Sequence, residues 1–250
     1  MLILAFETTG RHASVACIDG TGLLFEETSE GLMNHLQSLM PMTESLLKKN
    51  GFTINDISNV TASSGPGSFT GIRIGVASAR ALAQALDIPC IRIPTLQSFI
   101  YNAKSRPELV CPVLDAKRGQ IYGGVFYIDG VTGNICEPVK SGAYGVEEYL
   151  KLLNQVVTDR NILSVMFFGD GIEAYGDEIK KWRRSALPGS VGLEFAEEGI
   201  RYQKASSVAR LALKYFYDGE QINYKDLFPL YLRKAEAERK LEAGFPQIER

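Results

Sequence analysis

Ser63-Ser64-Gly65-Pro66-Gly67-Ser68-Phe69-Thr70-Gly71 joins a short apolar run to a long alanine-rich one. The run 58–63 is typical of a strand and Ile72–Leu86 of a helix, so the quoted stretch is a strand-to-helix turn. Small residues at such a turn leave the amides of a helix N-terminus open to an anion. The turn lacks the Gly-Lys-Ser/Thr of a Walker A loop, and its glycines miss the dinucleotide-binding spacing by one residue. Two interpretations stay open: a phosphate-binding turn, or a tight turn in which Ser68 or Thr70 caps the helix.

The segments on either side of this turn predict an ordered series of strands and helices. Three β-like runs open the chain, at residues 2–6, 13–18 and 22–28. Asp19-Gly20 suits a tight hairpin turn between the last two runs. A helix follows at Leu32–Asn50, and the strand Ile88–Ile93 comes after the helix Ile72–Leu86. The order βββαβαβ is typical of a mixed sheet with helices on its faces, as in the ribonuclease-H-like lobe of sugar kinases and actin.

The second half of the chain continues the alternation, which predicts a second lobe. Its predicted strands are 109–115, 120–128 and Leu163–Phe168, and its predicted helices are 145–155, 172–184 and Ser206–Tyr217. A chain of 250 residues is also near the size at which one core divides. We therefore predict an α/β, actin-like, two-lobed fold with mixed central sheets flanked by helices. The N-terminal lobe spans 1–104, the C-terminal lobe 105–217, and the segment 218–250 ends in a charged tail that we expect to be disordered.

Composition excludes several classes of function. With 27 basic and 29 acidic side chains the net charge is −2, which creates no field to hold a polyanion and disfavours a stand-alone nucleic-acid binder. The two histidines, His12 and His35, are too far apart to form a helical metal pair. The four cysteines are widely spaced, which predicts buried thiols in a reducing compartment. Because no basic leader opens the chain and no apolar run approaches the roughly 20 residues of a membrane span, we predict a cytoplasmic protein.

The end of the first strand supplies further candidates for nucleotide binding. Glu7 follows this strand, where kinases of the actin-like superfamily place a carboxylate and hydroxyls near a phosphate or its Mg²⁺. The predicted nucleotide- or anion-binding residues are Glu7, Thr8, Gly65, Gly67 and Ser68. Asp115 and the turn 169–171 also follow predicted strands and are candidates for lining one crevice. For all of these, a strand-end side chain satisfied by nearby backbone amides is the alternative interpretation.

The two N-terminal helices predict a contact with a partner. The helix Ile72–Leu86 is apolar nearly all the way round, so one face covers the sheet and another is left for a second helix. Small residues four apart let a second backbone approach closely. The predicted partner-binding residues are Leu36, Leu39, Met40, Thr43, Gly71, Gly75, Ser78, Ala79 and Leu82. The alternative is that both helices belong to one internal core. No Ser, Cys or Thr is paired with a histidine base, so we predict no catalytic residue.

Five segments of the chain form a recognisable combination. They are Leu4–Thr9, His35–Pro41, Ser64–Gly75, Asp115–Tyr122 and Tyr231–Arg233. The combination resembles the TsaB family, also called YeaZ, and the resemblance covers nearly the whole chain. Gly-Pro-Gly-Ser-Phe-Thr-Gly-x-Arg-x-Gly and Asp-Ala-x-Arg-Gly-x-x-Tyr are specific to that family.

The resemblance implies an accessory subunit of the bacterial pathway that attaches threonylcarbamoyl to the adenosine beside the anticodon of ANN-decoding tRNAs. In that family the subunit pairs through its first two helices with a catalytic paralogue, TsaD, and the ATPase TsaE joins the pair. TsaC makes the threonylcarbamoyl adenylate beforehand. The resemblance further implies a homodimer in the absence of TsaD and contact with tRNA only through the complex. The chain would require no cofactor of its own, with ATP or ADP and Mg²⁺ held at a composite interface.

The resemblance also implies that the chain is not an enzyme. TsaD-like paralogues hold a metal through a His-x-x-x-His pair, and the matching positions here are Thr95 and Phe99, which cannot replace two imidazoles. We therefore predict no metal and no metallopeptidase activity, although the family carries a glycoprotease label. Relatives usually have Asp where this chain has Glu7, and the longer side chain moves the carboxylate outward. A weak nucleotide-binding ATPase of actin-like architecture is the alternative function.

Overall fold

The computed structural model describes residues 1–29, 35–103 and 107–233, which contain two five-stranded sheets. The strands of the first sheet are β1 (Leu2–Glu7), β2 (Ser14–Asp19), β3 (Leu24–Thr28), β4 (Asn59–Ser63) and β5 (Cys90–Ile93). They lie in the order β3-β2-β1-β4-β5, with β1 antiparallel to β2 and parallel to β4. An antiparallel meander followed by parallel strands confirms the mixed sheet predicted from the order of elements.

Helices cover both faces of the first sheet. In the whole of the described chain the helices are α1 (His35–Lys49), α2 (Phe69–Leu86), α3 (Thr95–Ser98), α4 (Val146–Arg160), α5 (Gly171–Ala186), α6 (Glu198–Arg201) and α7 (Ala205–Tyr217). The first sheet is covered by α1 and α2 on one face and by α7 on the other. Side chains alternate along β1, so Leu4 and Phe6 pack with α1 and α2 while Ile3 and Ala5 pack with α7. Since both faces are covered, all six residues of β1 are buried. Within the described ranges, no helix combines the length and apolar character that crossing a bilayer requires.

The second sheet repeats the topology of the first. Its strands are β6 (Leu109–Asp115), β7 (Gln120–Ile128), β8 (Ile135–Gly145), β9 (Ser164–Phe168) and β10 (Gly192–Phe195). They lie in the order β10-β9-β6-β7-β8, with β6 antiparallel to β7 and parallel to β9. Strand β6 therefore occupies the place that β1 holds in the first sheet. Helices α4 and α5 pack on the second sheet through Leu150, Leu153 and Ile179. The structure therefore confirms two mixed sheets flanked by helices.

Helix α7 returns to the first sheet. It lies within the predicted C-terminal lobe, 105–217, but Val208, Ala209 and Ala212 are fully buried against the β1 and β2 side chains. The chain thus leaves the first sheet, builds the second and comes back. The predicted boundary at 104 and 105 lies outside the described residues.

The secondary structure differs from the prediction at several places, among them β8, β10 and the start of α2. Strand β8 contains Pro138 and two glycines and pairs with β7 through two irregularities in register, so it shows no regular alternation. Strand β10 has four residues, too few for a periodic pattern. Helix α2 begins at Phe69 rather than Ile72, because Ser68 Oγ accepts a hydrogen bond from Gly71 N at 3.2 Å and caps it. The predicted start of α1 at Leu32 lies outside the described residues.

The cysteines form no disulfide. Cys17, Cys90 and Cys111 are buried, as predicted, and Cys136 is partly exposed. Burial raises the pKa of Cys17 to about 12 and that of Cys90 to about 11. These two thiols are therefore protonated near neutral pH and pack as small apolar side chains.

Helix α2 lies very close to the chain that follows β1. A Cβ atom on Gly71 would overlap the carbonyl oxygen of Thr8, and one on Gly75 would stand 2.5 Å from Thr8 Oγ1. Thr8 Oγ1 donates a hydrogen bond to the carbonyl oxygen of Gly71 at 2.7 Å. Because only glycine leaves this space, these two residues set the distance between α2 and the sheet.

Gly75→Ala should lower the free energy of unfolding by about 1–3 kcal/mol, because the new methyl group crowds Thr8 Oγ1. The matched control is Gly176→Ala in α5, where the new Cβ would meet Ile172 at 3.8 Å, an ordinary contact. This control should raise the free energy of unfolding by about 0.5–1 kcal/mol, as for other helical glycines. Urea unfolding followed by circular dichroism measures both changes. Equal effects of the two substitutions would contradict the close approach of α2.

Candidate functional site

The segment after β1 packs directly on the glycine-rich turn, residues 64–71. Ser68 N donates a hydrogen bond to the carbonyl oxygen of Thr9 at 2.9 Å, beside the bond between Thr8 and Gly71. A Cβ atom on Gly67 would lie 2.7 Å from Thr9 Cβ. The two segments that we expected to surround a phosphate are thus in contact with each other.

Glu7 is fully buried at the end of β1. Its Oε1 accepts hydrogen bonds from Thr9 N at 2.5 Å and Thr9 Oγ1 at 2.6 Å, and its Oε2 accepts one from Ser63 Oγ. Burial raises the pKa of Glu7, although these hydrogen bonds oppose the shift. Both carboxylate oxygens are occupied by internal donors, so Glu7 does not fit the role of a Mg²⁺ ligand.

The other side of the turn is covered by residues 227–233, which we call the strap. Leu227 is fully buried in the core beneath α2. Leu230 N donates a hydrogen bond to the carbonyl oxygen of Ser64 at 2.7 Å. Gly65 has a φ of 121°, a conformation that favours glycine, and a Cβ there would overlap the carbonyl oxygen of Leu230. The strap therefore closes the turn on the side away from β1.

These contacts show how the residues predicted to bind a nucleotide or an anion are arranged. Glu7, Thr8, Gly65, Gly67 and Ser68 lie together as expected, but they contact one another and the strap. The capped-turn interpretation accounts for this arrangement, since Ser68 Oγ caps α2 and nearby donors satisfy Glu7.

The further candidates, Asp115 and Asp170, meet at the carboxyl ends of β6 and β9. Asp170 Oδ1 accepts a hydrogen bond from Asp115 N at 3.0 Å, and burial raises the pKa of Asp170. Asp115 accepts hydrogen bonds from Lys117 N at 2.8 Å and Lys117 Nζ at 2.6 Å. Arg233 Nη1 donates to the carbonyl oxygen of Ala116 at 2.8 Å, which attaches the strap to this turn. Asp115 stabilises its own turn, whereas Asp170 accepts from the backbone at the end of the neighbouring strand β6. Both are strand-end carboxylates satisfied by nearby donors, as the alternative interpretation describes.

The two positions that match the metal ligands of the paralogue lie in the core. Thr95 and Phe99 are fully buried. Thr95 Oγ1 accepts a hydrogen bond from Gly65 N at 3.2 Å, and the ring of Phe99 lies 6.0 Å from that of Phe168. In residues 1–29, 35–103 and 107–233, no three His, Cys, Asp or Glu side chains are grouped so that they could hold a metal ion. Thr95 supports the glycine-rich turn instead.

The predicted partner surface also needs correction. Gly71, Gly75 and Ala79 of α2 are buried against the first sheet, and so are Leu39 and Thr43 of α1. A stripe of small residues allows a helix to pack closely on a sheet of its own chain as readily as on a partner protein. These five residues belong to the internal core, which was the alternative interpretation.

The outward side of α2 carries a different set of small residues, which we call the small-residue face. It consists of Thr70, Ala77 and Ala81, which are exposed and share one side of the helix. Ser78 and Leu82, both predicted to bind a partner, are half-buried. Met40 of the neighbouring α1 is 43% exposed. The side chain of Leu36 lies outside the described residues. The exposed side of α2 therefore differs from the predicted one, whereas Met40 of α1, a predicted partner-binding residue, is exposed.

Sequence reasoning missed a set of side chains between α2 and the strap, which we call the ridge. The ridge consists of Phe69, Arg73, Arg80, Phe228, Leu230 and Tyr231. Arg73 Nε donates a hydrogen bond to the hydroxyl of Tyr231 at 2.9 Å. Both residues lie in segments that carry the family resemblance, but 158 positions separate them, so no local pattern reveals their contact.

Comparison with known proteins identifies relatives over most of the chain. The protein-family model described as TsaD, tRNA N6-adenosine threonylcarbamoyltransferase, matches residues 26–241. The tRNA threonylcarbamoyladenosine biosynthesis protein TsaB of Bacillus subtilis is 28% identical, over 96% of this chain and 97% of its own length.

Solved structures show the same fold. YeaZ from Pseudomonas aeruginosa matches with a TM-score of 0.72 and 21% identity, over 92% of this chain and 99% of its own. Lmo2764 of Listeria monocytogenes, assigned as an N-acetylmannosamine kinase, matches with a TM-score of 0.50 and 12% identity, over 88% of this chain and 100% of its own. Together with the two mixed sheets flanked by helices, these likenesses confirm the predicted fold class.

Glu7→Gln should preserve the fold and gain stability relative to the parent protein as the pH rises above 4.5, the ordinary pKa of a glutamate. Because burial raises the folded-state pKa of Glu7, the protonated group contributes stability that is complete below its unfolded pKa. That contribution is lost as the pH rises through the folded-state value, whereas glutamine does not titrate. Urea unfolding across this pH range measures the difference between the two proteins.

The matched control is Glu44→Gln, at an exposed position of α1. It measures how much pH dependence the loss of a surface carboxylate produces by itself. A stability difference for Glu7→Gln that does not change with pH would show that burial of Glu7 does not govern its titration.

Proposed function

The chain belongs to the TsaB (YeaZ) family, and we propose that it is a non-catalytic subunit of the bacterial complex that transfers threonylcarbamoyl to the adenosine beside the anticodon of ANN-decoding tRNAs. In this role it binds its paralogue TsaD and stabilises the active form of TsaD. The observation that carries the proposal is the exposed small-residue face of α2, beside α1 and the ridge. The similarity to a tRNA threonylcarbamoyladenosine biosynthesis protein of Bacillus subtilis supports the pathway.

The shape of this face supports a helix as its partner. Thr70, Ala77 and Ala81 are small, so a second helix packs on α2 with a short distance between the axes. Met40 and Phe69, which are 43% and 39% exposed, add apolar area around it. Exposed apolar side chains grouped in this way mark protein contacts. Two helices of TsaD packed on α1 and α2 would form a four-helix interface.

The chemistry of the buried turn supports a role without catalysis. Thr95 and Phe99 stand where TsaD-like paralogues have metal-binding imidazoles, and neither side chain is a zinc-type ligand. Glu7 is inaccessible behind Thr9 and Ser63. The transfer chemistry then belongs to TsaD, and this chain contributes surface and rigidity.

The proposal extends to the other components of the complex. TsaE joins the pair, and tRNA contacts this chain only through the complex. ATP or ADP with Mg²⁺ binds at a composite interface, because the glycine-rich turn of this chain is filled by its own contacts. In the absence of TsaD the same exposed face forms a homodimer, and the assembly acts in the cytoplasm.

The alternative function, a weak ATPase of actin-like architecture, requires access to Glu7 and the turn. Calorimetry of the isolated chain with ATP and Mg²⁺ separates the two functions. Saturable heat would favour the ATPase, and its absence would leave the turn as a helix cap.

The first test of the scaffold proposal is light scattering on size-exclusion fractions. The chain alone, TsaD of the same organism alone and an equimolar mixture are compared, with and without ATP and Mg²⁺. We expect a homodimer for the chain alone and a heterodimer in the mixture. Unchanged masses in every mixture would contradict the proposal.

Ala81→Asp should leave the monomer folded and weaken its binding to TsaD by at least about tenfold, because the carboxylate is buried between helices without a partner. The matched control is Ala174→Asp, an exposed helical alanine of α5, which should bind like the parent protein. Gly75→Asp should instead unfold the chain, because Gly75 faces Thr8. Titration calorimetry and circular dichroism separate these outcomes, and undiminished binding of Ala81→Asp would exclude the small-residue face.

A further inference from the structure

Two arginines of α2 project beside the strap with the same orientation around the helix. Arg73 and Arg80 are seven residues apart, which places them on one side of the helix and about 10 Å apart along its axis. Arg73 is exposed and Arg80 is half-buried. Both lie at the border between α2 and the strap.

Each guanidinium is held against an aromatic ring. The guanidinium carbon of Arg73 lies 3.9 Å from the ring centroid of Phe69, and the rings of Phe69 and Tyr231 are 4.8 Å apart. The hydrogen bond from Arg73 to Tyr231 uses Nε, which leaves the terminal nitrogens for another acceptor. Arg80 lies 5.2 Å from the ring centroid of Phe228. Stacking restricts both side chains before any partner arrives, which lowers the entropy lost on binding.

The apolar part of the ridge is exposed as well. The exposed fractions of Phe69, Leu230 and Tyr231 are 39%, 40% and 41%, and that of Phe228 is 51%. Four large apolar side chains on one border exceed the scattered exposure of an ordinary surface. Among the residues that the structure describes, no carboxylate forms an ion pair with Arg73 or Arg80. The ridge thus combines apolar area with two positive charges that have no ion-pair partner within residues 1–29, 35–103 and 107–233.

We propose that the ridge selects the partner by binding two carboxylates set in an apolar surface of TsaD, about 10 Å apart. This inference rests on the proposed function, and it adds residues that lie outside the predicted helix-helix contact. Arginine and aromatic residues dominate binding energy where an interface excludes water. A guanidinium binds a carboxylate through two parallel hydrogen bonds, so the pair of arginines also sets the register of the partner along α2.

The test is charge reversal on the full chain, with TsaD of the same organism as the probe. Arg73→Glu and Arg80→Glu should each weaken binding to TsaD by at least about tenfold in titration calorimetry, because like charges then face each other. Arg184→Glu, at an exposed position of α5, is the matched control and should bind within about twofold of the parent protein. Circular dichroism checks that all three variants are folded.

Two further measurements separate charge recognition from loss of packing. Affinity of the parent protein for TsaD should fall as salt rises, and the double variant should lose most of this dependence. Arg73→Lys should bind more weakly than the parent protein but more tightly than Arg73→Glu, because lysine keeps the charge and loses the planar, bidentate contact.

The outcomes are distinguishable from failure of the proposed function. If the parent protein binds TsaD and both reversals bind equally well, the ridge inference is overturned and the scaffold proposal stands. If reversal dissociates the homodimer and leaves binding to TsaD intact, the ridge contacts a second copy and the inference is again overturned. If the parent protein does not bind TsaD at all, the proposed function and the ridge inference both fail.

Discussion

Helix α2 lies against the first sheet through a contact between Thr8 and two glycines of the helix. Thr8 Oγ1 bonds to the carbonyl oxygen of Gly71, and the missing Cβ atoms of Gly71 and Gly75 let the helix lie against the end of β1. This contact fixes which side of α2 covers the sheet and which side stays exposed. It also brings the glycine-rich turn against Thr9, so the place where a nucleotide phosphate was expected is filled by the protein itself.

Much of the fold is predictable from the sequence because its central strands are unambiguous. Strand β1 is a continuous apolar run that requires cover on both faces, and the order of elements then leaves few topologies. Strands β8 and β10 escape prediction because one is interrupted by proline and glycine and the other has four residues. The return of α7 to the first sheet is a tertiary fact, since its apolar stripe fits either sheet equally well on pattern alone.

The candidate site is less predictable, for a reason visible in α2. A helix that is apolar nearly all round has two sides with small residues, and periodicity does not say which one meets the sheet. The side of α2 that packs on the sheet carries Gly71, Gly75 and Ala79. The exposed side carries Thr70, Ala77 and Ala81. Glu7 illustrates the same limit, because its strand-end position is apparent from the sequence while its donors Thr9 and Ser63 become apparent only in three dimensions.

The strap, residues 227–233, is synthesised long after the helix that it covers. A ribosome releases the N-terminus first, so α2 emerges long before residues 227–233, which cover its border and attach to both Ser64 and Ala116. Until residues 227–233 have been synthesised, the apolar side chains beneath Leu227 are open to water and to other chains. The ridge combines residues of α2 with residues of the strap, so a nascent chain that lacks residues 227–233 does not have a complete ridge. The complete ridge therefore forms only after residues 227–233 have been synthesised and have packed on α2.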